Sequence, residues 1–321
     1  MQQTAYSGSK TNLTTVRKST FFQKLKEQRQ LLVLSVPFML IVIIFSYVPL
    51  WGWLMAFKEY KPGVNTILSA PWIGLANFKE LFTDSYFFLA IRNTLAISSM
   101  KLVFSFVSAI TLAVLLNEIK NKIFKRTVQT ISYLPHFVSW VVAANIVFMS
   151  LSPDGGIINT ILLKLGLIEQ SVPFMGMKEY FWLILSLSNV WKDVGWGAII
   201  YLSAISGIDP NLYEAAAIDG AGRIKRIFHV TIPSIAPTIK ILLVLNIGWM
   251  LNAGFEQVFL LGNSSVDEVA RTLEIYVYNY AMKYFRYSYG TAIGIFNSVV
   301  SFTLITIANR VSKKVDGEGI F

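Results

Sequence analysis

The sequence predicts an all-α fold, a polytopic bundle of transmembrane helices, and three observations support this prediction. Hydrophobic residues make up 54% of the 321 residues and only 14% are charged, which is far below the charged share of a soluble domain. The apolar residues are grouped in blocks of about 20, the length that a helix needs to cross the hydrocarbon core. Basic residues lie between these blocks, where they set the orientation of a membrane protein.

Six apolar blocks predict six spans. In chain order they cover approximately Leu31–Phe57, Asn93–Leu116, Val128–Leu151, Tyr180–Ile205, Ile239–Leu261 and Tyr289–Ala308. The first block is too long for the apolar core of a signal peptide, so we expect a retained span. Trp51, Trp53 and Tyr180, near the borders of the outer loops, are expected as interfacial anchors.

The distribution of Lys and Arg predicts that both termini are cytoplasmic. The N-terminal tail, the second loop, the fourth loop and the C-terminal tail together carry 17 of these residues. The three remaining loops, which are longer, carry 9. Since the side richer in Lys and Arg faces the cytoplasm, we expect a basic cytoplasmic tail at 1–30, a transmembrane domain at 31–310 and a cytoplasmic tail at 311–321.

Composition excludes several classes of function. No cysteine is present, which excludes disulfides and thiol chemistry. The net charge is +10, but the basic residues follow the topology, and no phosphate loop, zinc-ligand cluster or arginine-rich arm predicts nucleic-acid binding. The two histidines, His136 and His229, lack spaced partners for catalysis, and we assign His136 no role. We therefore expect no catalytic and no metal-binding residues.

The fourth loop, residues 206–238, is polar but strongly patterned. Asp209 followed by Pro210 predicts a helix start, because a capping carboxylate precedes a proline at the first helical position. Gly220 and Gly222 then predict a turn. A hinged helix pair of this kind suits insertion into a groove on a partner protein. Two interfacial helices lying on lipid would fit the pattern equally well.

The second half of this loop predicts another short helix, from Arg223 to His229, with apolar residues on one side and Lys225 and Arg226 beside them. Pro233 and Pro237 are expected to redirect the chain into the fifth span.

The spacing within this loop resembles a known family. Glu214-Ala215-Ala216, three residues, Gly220, nine residues and then Val230-Thr-Ile-Pro233 resembles the EAA loop of ABC importer permeases. The family prefers Ile and Leu where this chain has Val230 and Ile232, and both exchanges keep an apolar side chain. Further stretches resemble the polysaccharide and complex-oligosaccharide branch of maltose-type carbohydrate permeases, namely Tyr133–Trp140, Leu151–Gly156 and Ile208–Ala216.

The resemblance, which covers nearly the whole chain after the N-terminal tail, implies that the loop is a coupling helix docking in a cleft of a cytoplasmic ATPase. It implies a salt bridge to the ATPase for Glu214, close packing for Ala215 and Ala216, and the turn for Gly220. Apolar contacts are expected to supply most of the docking affinity, through Ile224, Ile227 and Phe228.

The resemblance also implies an assembly in the bacterial cell membrane. Its other members would be a second homologous permease, two ABC ATPase subunits and an extracellular solute-binding protein, surrounded by membrane lipid. We expect no cofactor in this chain, because ATP-Mg would be bound by the ATPase subunits. The chain would then be a transport subunit without enzymatic activity, importing oligosaccharides or polysaccharide fragments.

Polar residues within two predicted spans suggest the transport pathway. Two stripes recur at i, i+3, i+4 and i+7, the spacing of one helical face. Ionisable residues inside a span usually face a cavity or a partner, and sugars need both hydroxyl-bonding groups and aromatic faces. We therefore expect a substrate pathway at Asn189, Lys192, Asp193, Trp196, Trp249, Asn252 and Glu256. Pairing with the second permease, or hydrogen bonding between helices, would explain the same stripes.

Two other functions stay open at this stage. The same architecture would serve a non-sugar solute such as an amino acid or phosphate. An autonomous secondary carrier or channel would also be a helix bundle, but it would not need a hinged cytoplasmic loop.

Overall fold

The computed structural model describes residues 28–316, and it is 78% helical. Within this range no β-strand forms, and one antiparallel bridge joins Lys58 and Trp72. The predicted tail at 1–30 lies almost wholly outside the described residues, and the predicted tail at 311–321 lies partly outside them.

The α-helices of residues 28–316 are α1 (Arg29–Val42), α2 (Ala76–Leu81), α3 (Ser85–Glu118), α4 (Lys122–Tyr133), α5 (Trp140–Leu151), α6 (Ile157–Lys164), α7 (Lys178–Ser206), α8 (Pro210–Ile218), α9 (Arg223–Arg226), α10 (Ile232–Gly248), α11 (Phe255–Leu261), α12 (Asp267–Ala270), α13 (Leu273–Tyr278) and α14 (Tyr287–Asp316). Short 3₁₀ or π segments extend or join several of them, at Ile43–Tyr47, Val48–Phe57, Leu134–Phe137, Phe174–Gly176, Ile227–Thr231, Ser264–Val266 and Asn279–Lys283.

The chain divides after Gly52 into two compact units. In the first unit, α1 and the π segment that follows it bury none of their residues. Apolar side chains that are exposed all around a helix are typical of a segment that meets lipid.

The second unit, from Trp53 onward, has its core where α3 and α7 pack along much of their lengths. Small residues permit this approach, since Ala109 and Ala113 of α3 lie in one buried cluster with Ala198 of α7. α10 packs against α14.

Two predicted spans differ from the structure. The third was expected to be continuous over Val128–Leu151, but the helix pair Lys122–Phe137 and Trp140–Leu151 is bent by 106°. Pro135 and the helix cap at Ser139, whose hydroxyl accepts from the amide of Val142, begin a new helix there. The fifth was expected to run without interruption over Ile239–Leu261, but α10 ends at Gly248 and α11 begins at Phe255.

The predicted redirection at Pro233 and Pro237 is also wrong. Pro233 directly follows the turn of π-helix at Ile227–Thr231, and Pro237 lies inside α10. The predicted short helix after Gly222 is instead the start of a helical stretch that runs over Arg223–Gly248.

Four helical stretches in residues 28–316 are long and apolar enough to cross a membrane, at Arg29–Phe57, Ser85–Glu118, Arg223–Gly248 and Tyr287–Lys314. The bent pair adds a fifth if it counts as one span. α7 has 29 residues, but Asn189, Lys192 and Asp193 lower the mean hydropathy of its centre. The count of six spans therefore stays a prediction.

Asp84 joins the start of α3 to the α13–α14 region. Its carboxylate accepts from the amide of Tyr86 at 2.8 Å, which caps α3, and from the hydroxyls of Tyr276 and Tyr280. The Tyr276 hydroxyl also lies 2.8 Å from that of Tyr289. Burial alone would raise the pKa of Asp84, but the hydrogen bonds from Tyr276, Tyr86 and Tyr280 outweigh it and hold this pKa below its ordinary value.

We expect Asp84→Asn to lower the melting temperature at pH 7, with a loss of about 1–2 kcal/mol for hydrogen bonds to a charged group. A carboxyl with a lowered folded pKa stabilises the protein above its ordinary value, 3.8, and loses this effect as the pH falls through the folded value. In thermal unfolding in detergent, the difference in melting temperature between variant and wild type should therefore shrink below about pH 4. A difference that stays constant down to pH 3 would mean that the charge of Asp84 does not cause the loss of stability.

Candidate functional site

A cleft of about 390 Å³ opens between α3, α7 and the end of α10. Its polar lining consists of Ser98, Lys101, Ser105, Asn189, Asp193, Asn246 and Asn252. Its aromatic lining consists of Phe106, Trp196, Tyr201 and Trp249. The cleft thus combines hydrogen-bonding groups with exposed ring faces.

Five of the seven predicted pathway residues line this cleft, namely Asn189, Asp193, Trp196, Trp249 and Asn252. Lys192 does not, because it lies about 100° around the helix from Asp193. Its ammonium is buried, donates to the carbonyl oxygen of His136 at 2.7 Å and lies over the ring of Trp140. Glu256 is also outside the lining, because it follows the break in the fifth span and the helical spacing from Trp249 does not continue across it.

The break at residues 249–254 forms part of the cleft wall. Gly254 has a φ of +88°, a conformation that favours glycine. Non-helical backbone at membrane depth needs hydrogen-bond partners, and two side chains provide them. The ammonium of Lys101 donates to the carbonyl of Ala253, and the Oδ1 of Asn252 accepts from the amide of Gly254 at 3.2 Å.

Lys101 and Glu274 also attract each other electrostatically. A lysine inside a membrane span commonly extends its ammonium towards the membrane surface. Here the ammonium of Lys101 is bonded at the break instead, so Lys101 helps to fix the shape of the cleft wall.

His136 is a site residue that sequence reasoning missed. Its Nδ1 lies 2.8 Å from the Oδ1 of Asp193. Its ring stacks on Trp196, with centroids 4.6 Å apart and planes inclined by 4°. Because His136 lies 57 positions before Asp193, no local spacing could have linked them. His136 therefore supports two side chains of the cleft from behind.

The bend between α4 and α5 is pressed closely against α7. A Cβ atom at Gly195 would lie 2.0 Å from the carbonyl oxygen of Ser132 and 2.9 Å from the ring of Tyr133. Only glycine permits this contact between two backbones. The contact places His136 beside the cleft.

The loop at 206–238 contains the predicted first helix and turn. Asp209 caps α8, with its Oδ1 accepting from the amide of Asn211 at 3.0 Å, and Pro210 is the first helical residue. Gly220 has a φ of +75°. The Ala221 amide donates to the Ala216 carbonyl at 2.8 Å and the Gly220 amide donates to the Ala217 carbonyl at 3.1 Å, the two bonds of a glycine-ended helix terminus.

The loop exposes most of the residues predicted to couple to an ATPase. Glu214, Ala215, Gly220, Ile224 and Phe228 are exposed, and Ala216 is half-buried. Ile227 instead packs against the buried cluster that contains Ala109 and Ile235. Sequence reasoning missed Ile218, which has 87% of its surface exposed.

One hydrogen bond ties α8 to the start of α10. The hydroxyl of Tyr213 lies 3.0 Å from that of Thr231, which is 1% exposed. The exposed loop is therefore connected to the helix that ends at Trp249 in the cleft.

Two relatives from Bacillus subtilis (strain 168) align with nearly the whole chain. The polygalacturonan/rhamnogalacturonan transport system permease protein YteP is 42% identical over 298 residues, 93% of this chain and 92% of the relative. Protein LplB is 41% identical over 309 residues, 96% of each chain.

Two solved structures share the fold, both of a bacterial ABC transporter for alginate. The first, described as importing this acidic polysaccharide, has a TM-score of 0.83 and 39% identity, covering 92% of this chain and 99% of that one. The second, in complex with an alginate pentasaccharide-bound periplasmic protein, has a TM-score of 0.84 and 38% identity, covering 94% and 99%.

A family model for the inner membrane component of binding-protein-dependent transport systems matches residues 86–317. This range includes the cleft, the bend beside it and the cytoplasmic loop. The chain belongs to the family of binding-protein-dependent transport system inner membrane components.

Proposed function

We propose that this chain is the permease subunit of an ATP-driven importer that moves oligosaccharides or polysaccharide fragments into the cell. The observation that carries the proposal is the cleft at the broken fifth span. It places amide, hydroxyl and charged groups beside the faces of Trp196 and Trp249. Sugars present hydroxyls to polar groups and C–H faces to aromatic rings, so both parts of the lining have a use.

The relatives narrow the substrate class. YteP is named for polygalacturonan and rhamnogalacturonan, and the structural neighbours carry alginate. These are acidic polysaccharides, so oligogalacturonates and alginate oligosaccharides come first in a substrate screen. A shorter match, 33% identical over 56% of this chain, is to an sn-glycerol-3-phosphate permease from Yersinia pestis, and this solute represents the non-sugar alternative.

The exposed loop supports a proposal for the energy source. α8 and its glycine turn form a short, rigid projection, with Glu214 and Ile218 exposed. We propose that this projection docks on one of two ABC ATPase subunits, which bind ATP-Mg, and that this chain has no ATPase site of its own. A second permease would complete the bundle, and a solute-binding protein would deliver the sugar from outside. The proposed topology keeps six spans and both termini in the cytoplasm.

The test compares two charge reversals in the tagged chain, Glu214→Arg in α8 and Glu169→Arg, an exposed residue outside the loop. Wild type and Glu169→Arg should co-purify with an ABC ATPase and a second permease and support ATP-dependent uptake. Glu214→Arg should still co-purify with the second permease but with little of the ATPase, because its charge opposes the proposed salt bridge. Its ATP-dependent uptake should be at least tenfold lower than that of wild type. Uptake by the chain alone in proteoliposomes would overturn the importer assignment in favour of an autonomous carrier.

A further inference from the structure

The amphipathic helix α4 (Lys122–Tyr133) has an orientation that the transport function does not explain. The pair formed by α4 with its 3₁₀ extension and α5 is bent by 106°. α5 is almost entirely apolar, and its 12 residues rise about 18 Å, so it is long enough to enter the hydrocarbon core but not to cross it. If α5 lies along the bilayer normal, a helix nearly perpendicular to it lies along the membrane surface.

α4 has two chemically distinct faces. The apolar face contains Ile123, Phe124 and Ile131, with 80%, 57% and 66% of their surfaces exposed. The basic face, roughly opposite by helical spacing, contains Lys122, Lys125 and Arg126. Separate apolar and basic faces of this kind suit a helix at the boundary between acyl chains and headgroups.

The contact between α4 and α7 determines which side chains of α4 remain exposed. Its last turn is held against α7 by the backbone contact between Ser132 and Gly195. The three apolar side chains of α4, together with Lys122 and Arg126, remain exposed. They belong to the second loop, on the side of the molecule with the larger number of Lys and Arg residues, which is the cytoplasmic side by the positive-inside rule.

We propose that α4 is an interfacial helix that binds anionic phospholipid headgroups of the cytoplasmic leaflet. The basic face would contact the phosphates, since clustered Lys and Arg beside a span are attracted to the negative surface of that leaflet. The apolar face would lie at the acyl boundary. A docking surface for a protein would not require the apolar and basic groups to be separated in this way. This inference rests on the membrane location of the family and does not depend on the substrate.

Lipid binding at α4 has a consequence for the cleft. The bend that follows α4 carries His136, which stacks on Trp196 and lies beside Asp193. A helix held at the membrane surface would therefore keep this part of the cleft wall at a fixed depth.

The first test uses the fact that the chain has no cysteine, so one introduced cysteine labels one site. Ile131→Cys on the apolar face and Gln129→Cys, about 160° away around the helix, would each carry a nitroxide in the assembled complex. In nanodiscs of phosphatidylcholine and phosphatidylglycerol, we expect the label at 131 to be more accessible to oxygen. The label at 129 should be more accessible to a water-soluble nickel chelate. Low accessibility to both reagents at 131 would mean that a protein subunit covers this face, and it would overturn the proposal.

The second test concerns headgroup charge. The variant Lys122→Gln/Lys125→Gln/Arg126→Gln is compared with Lys79→Gln/Lys164→Gln/Lys283→Gln, which removes the same charge from exposed residues elsewhere. Replacing part of the phosphatidylcholine by phosphatidylglycerol should raise the melting temperature of wild type and control alike. The rise should be at least halved in the α4 variant, and an equal rise in both triple variants would overturn the role of the basic face.

Discussion

Replacing Gly195 with alanine is expected to destabilise the protein and to abolish transport. The added Cβ would lie 2.0 Å from the carbonyl oxygen of Ser132 and 2.4 Å from its carbonyl carbon. Since both are backbone atoms, α7 and the end of α4 would have to separate. Overpacking of a well-packed site costs about 1–3 kcal/mol of unfolding free energy. Because the atoms in the way belong to the backbone, we expect the cost for this variant at the upper end of that range. Such a cost corresponds to a fall in melting temperature of roughly 5–10 °C.

A matched control is Gly294→Ala in α14, where an added Cβ would meet no heavy atom within 4 Å. This exchange should be neutral or slightly stabilising, because alanine has the higher helix propensity. Thermal unfolding in detergent and uptake in cells would be measured for both variants. Equal stability and uptake for the two would show that the contact at Gly195 is looser than 2.0 Å.

The second large effect is expected from Lys101→Met. Methionine keeps the unbranched stem of the side chain but removes the ammonium that donates to Ala253. It also removes the positive charge that attracts the carboxyl of Glu274. Leaving a buried carbonyl without its hydrogen-bond donor costs about 1–3 kcal/mol, so we expect the break to lose its fixed shape and uptake to fall at least tenfold.

A double-mutant cycle separates this pairing from a general loss of polarity. Glu274→Gln in the Lys101→Met background should recover part of the stability, because the uncompensated charge is removed. A coupling of about 1 kcal/mol or more is expected for residues in one network. Strictly additive losses in melting temperature would mean that Lys101 and Glu274 act independently.

Local rules in the sequence predicted the parts of the structure that depend on nearby residues. The cap at Asp209, the helix that starts at Pro210 and the turn at Gly220 are all present, because each depends on atoms within a few positions. The stripe on α7 likewise brought Asn189, Asp193 and Trp196 to one cleft.

The errors arose where distant parts of the chain decide the outcome. The blocks at Val128–Leu151 and Ile239–Leu261 are predominantly apolar, and hydropathy alone does not distinguish a straight helix from a bent or broken one. Their breaks are stabilised by remote partners, α7 at the bend and Lys101 at the break. His136 belongs to the site for the same reason, since only the bend brings it to Asp193.

Through the hydrogen bond between Tyr213 and Thr231, a small movement of the loop at 206–238 can become a larger movement at the far end of α10. α10 has 17 residues and is therefore about 26 Å long, with Thr231 at one end and Trp249 at the other. A tilt of about 10° about Thr231 displaces the far end by about 4.5 Å, given the rise per residue of an α-helix. If Trp249 stacks on the substrate as proposed, a rotation of this size would carry its ring out of stacking distance of a bound sugar.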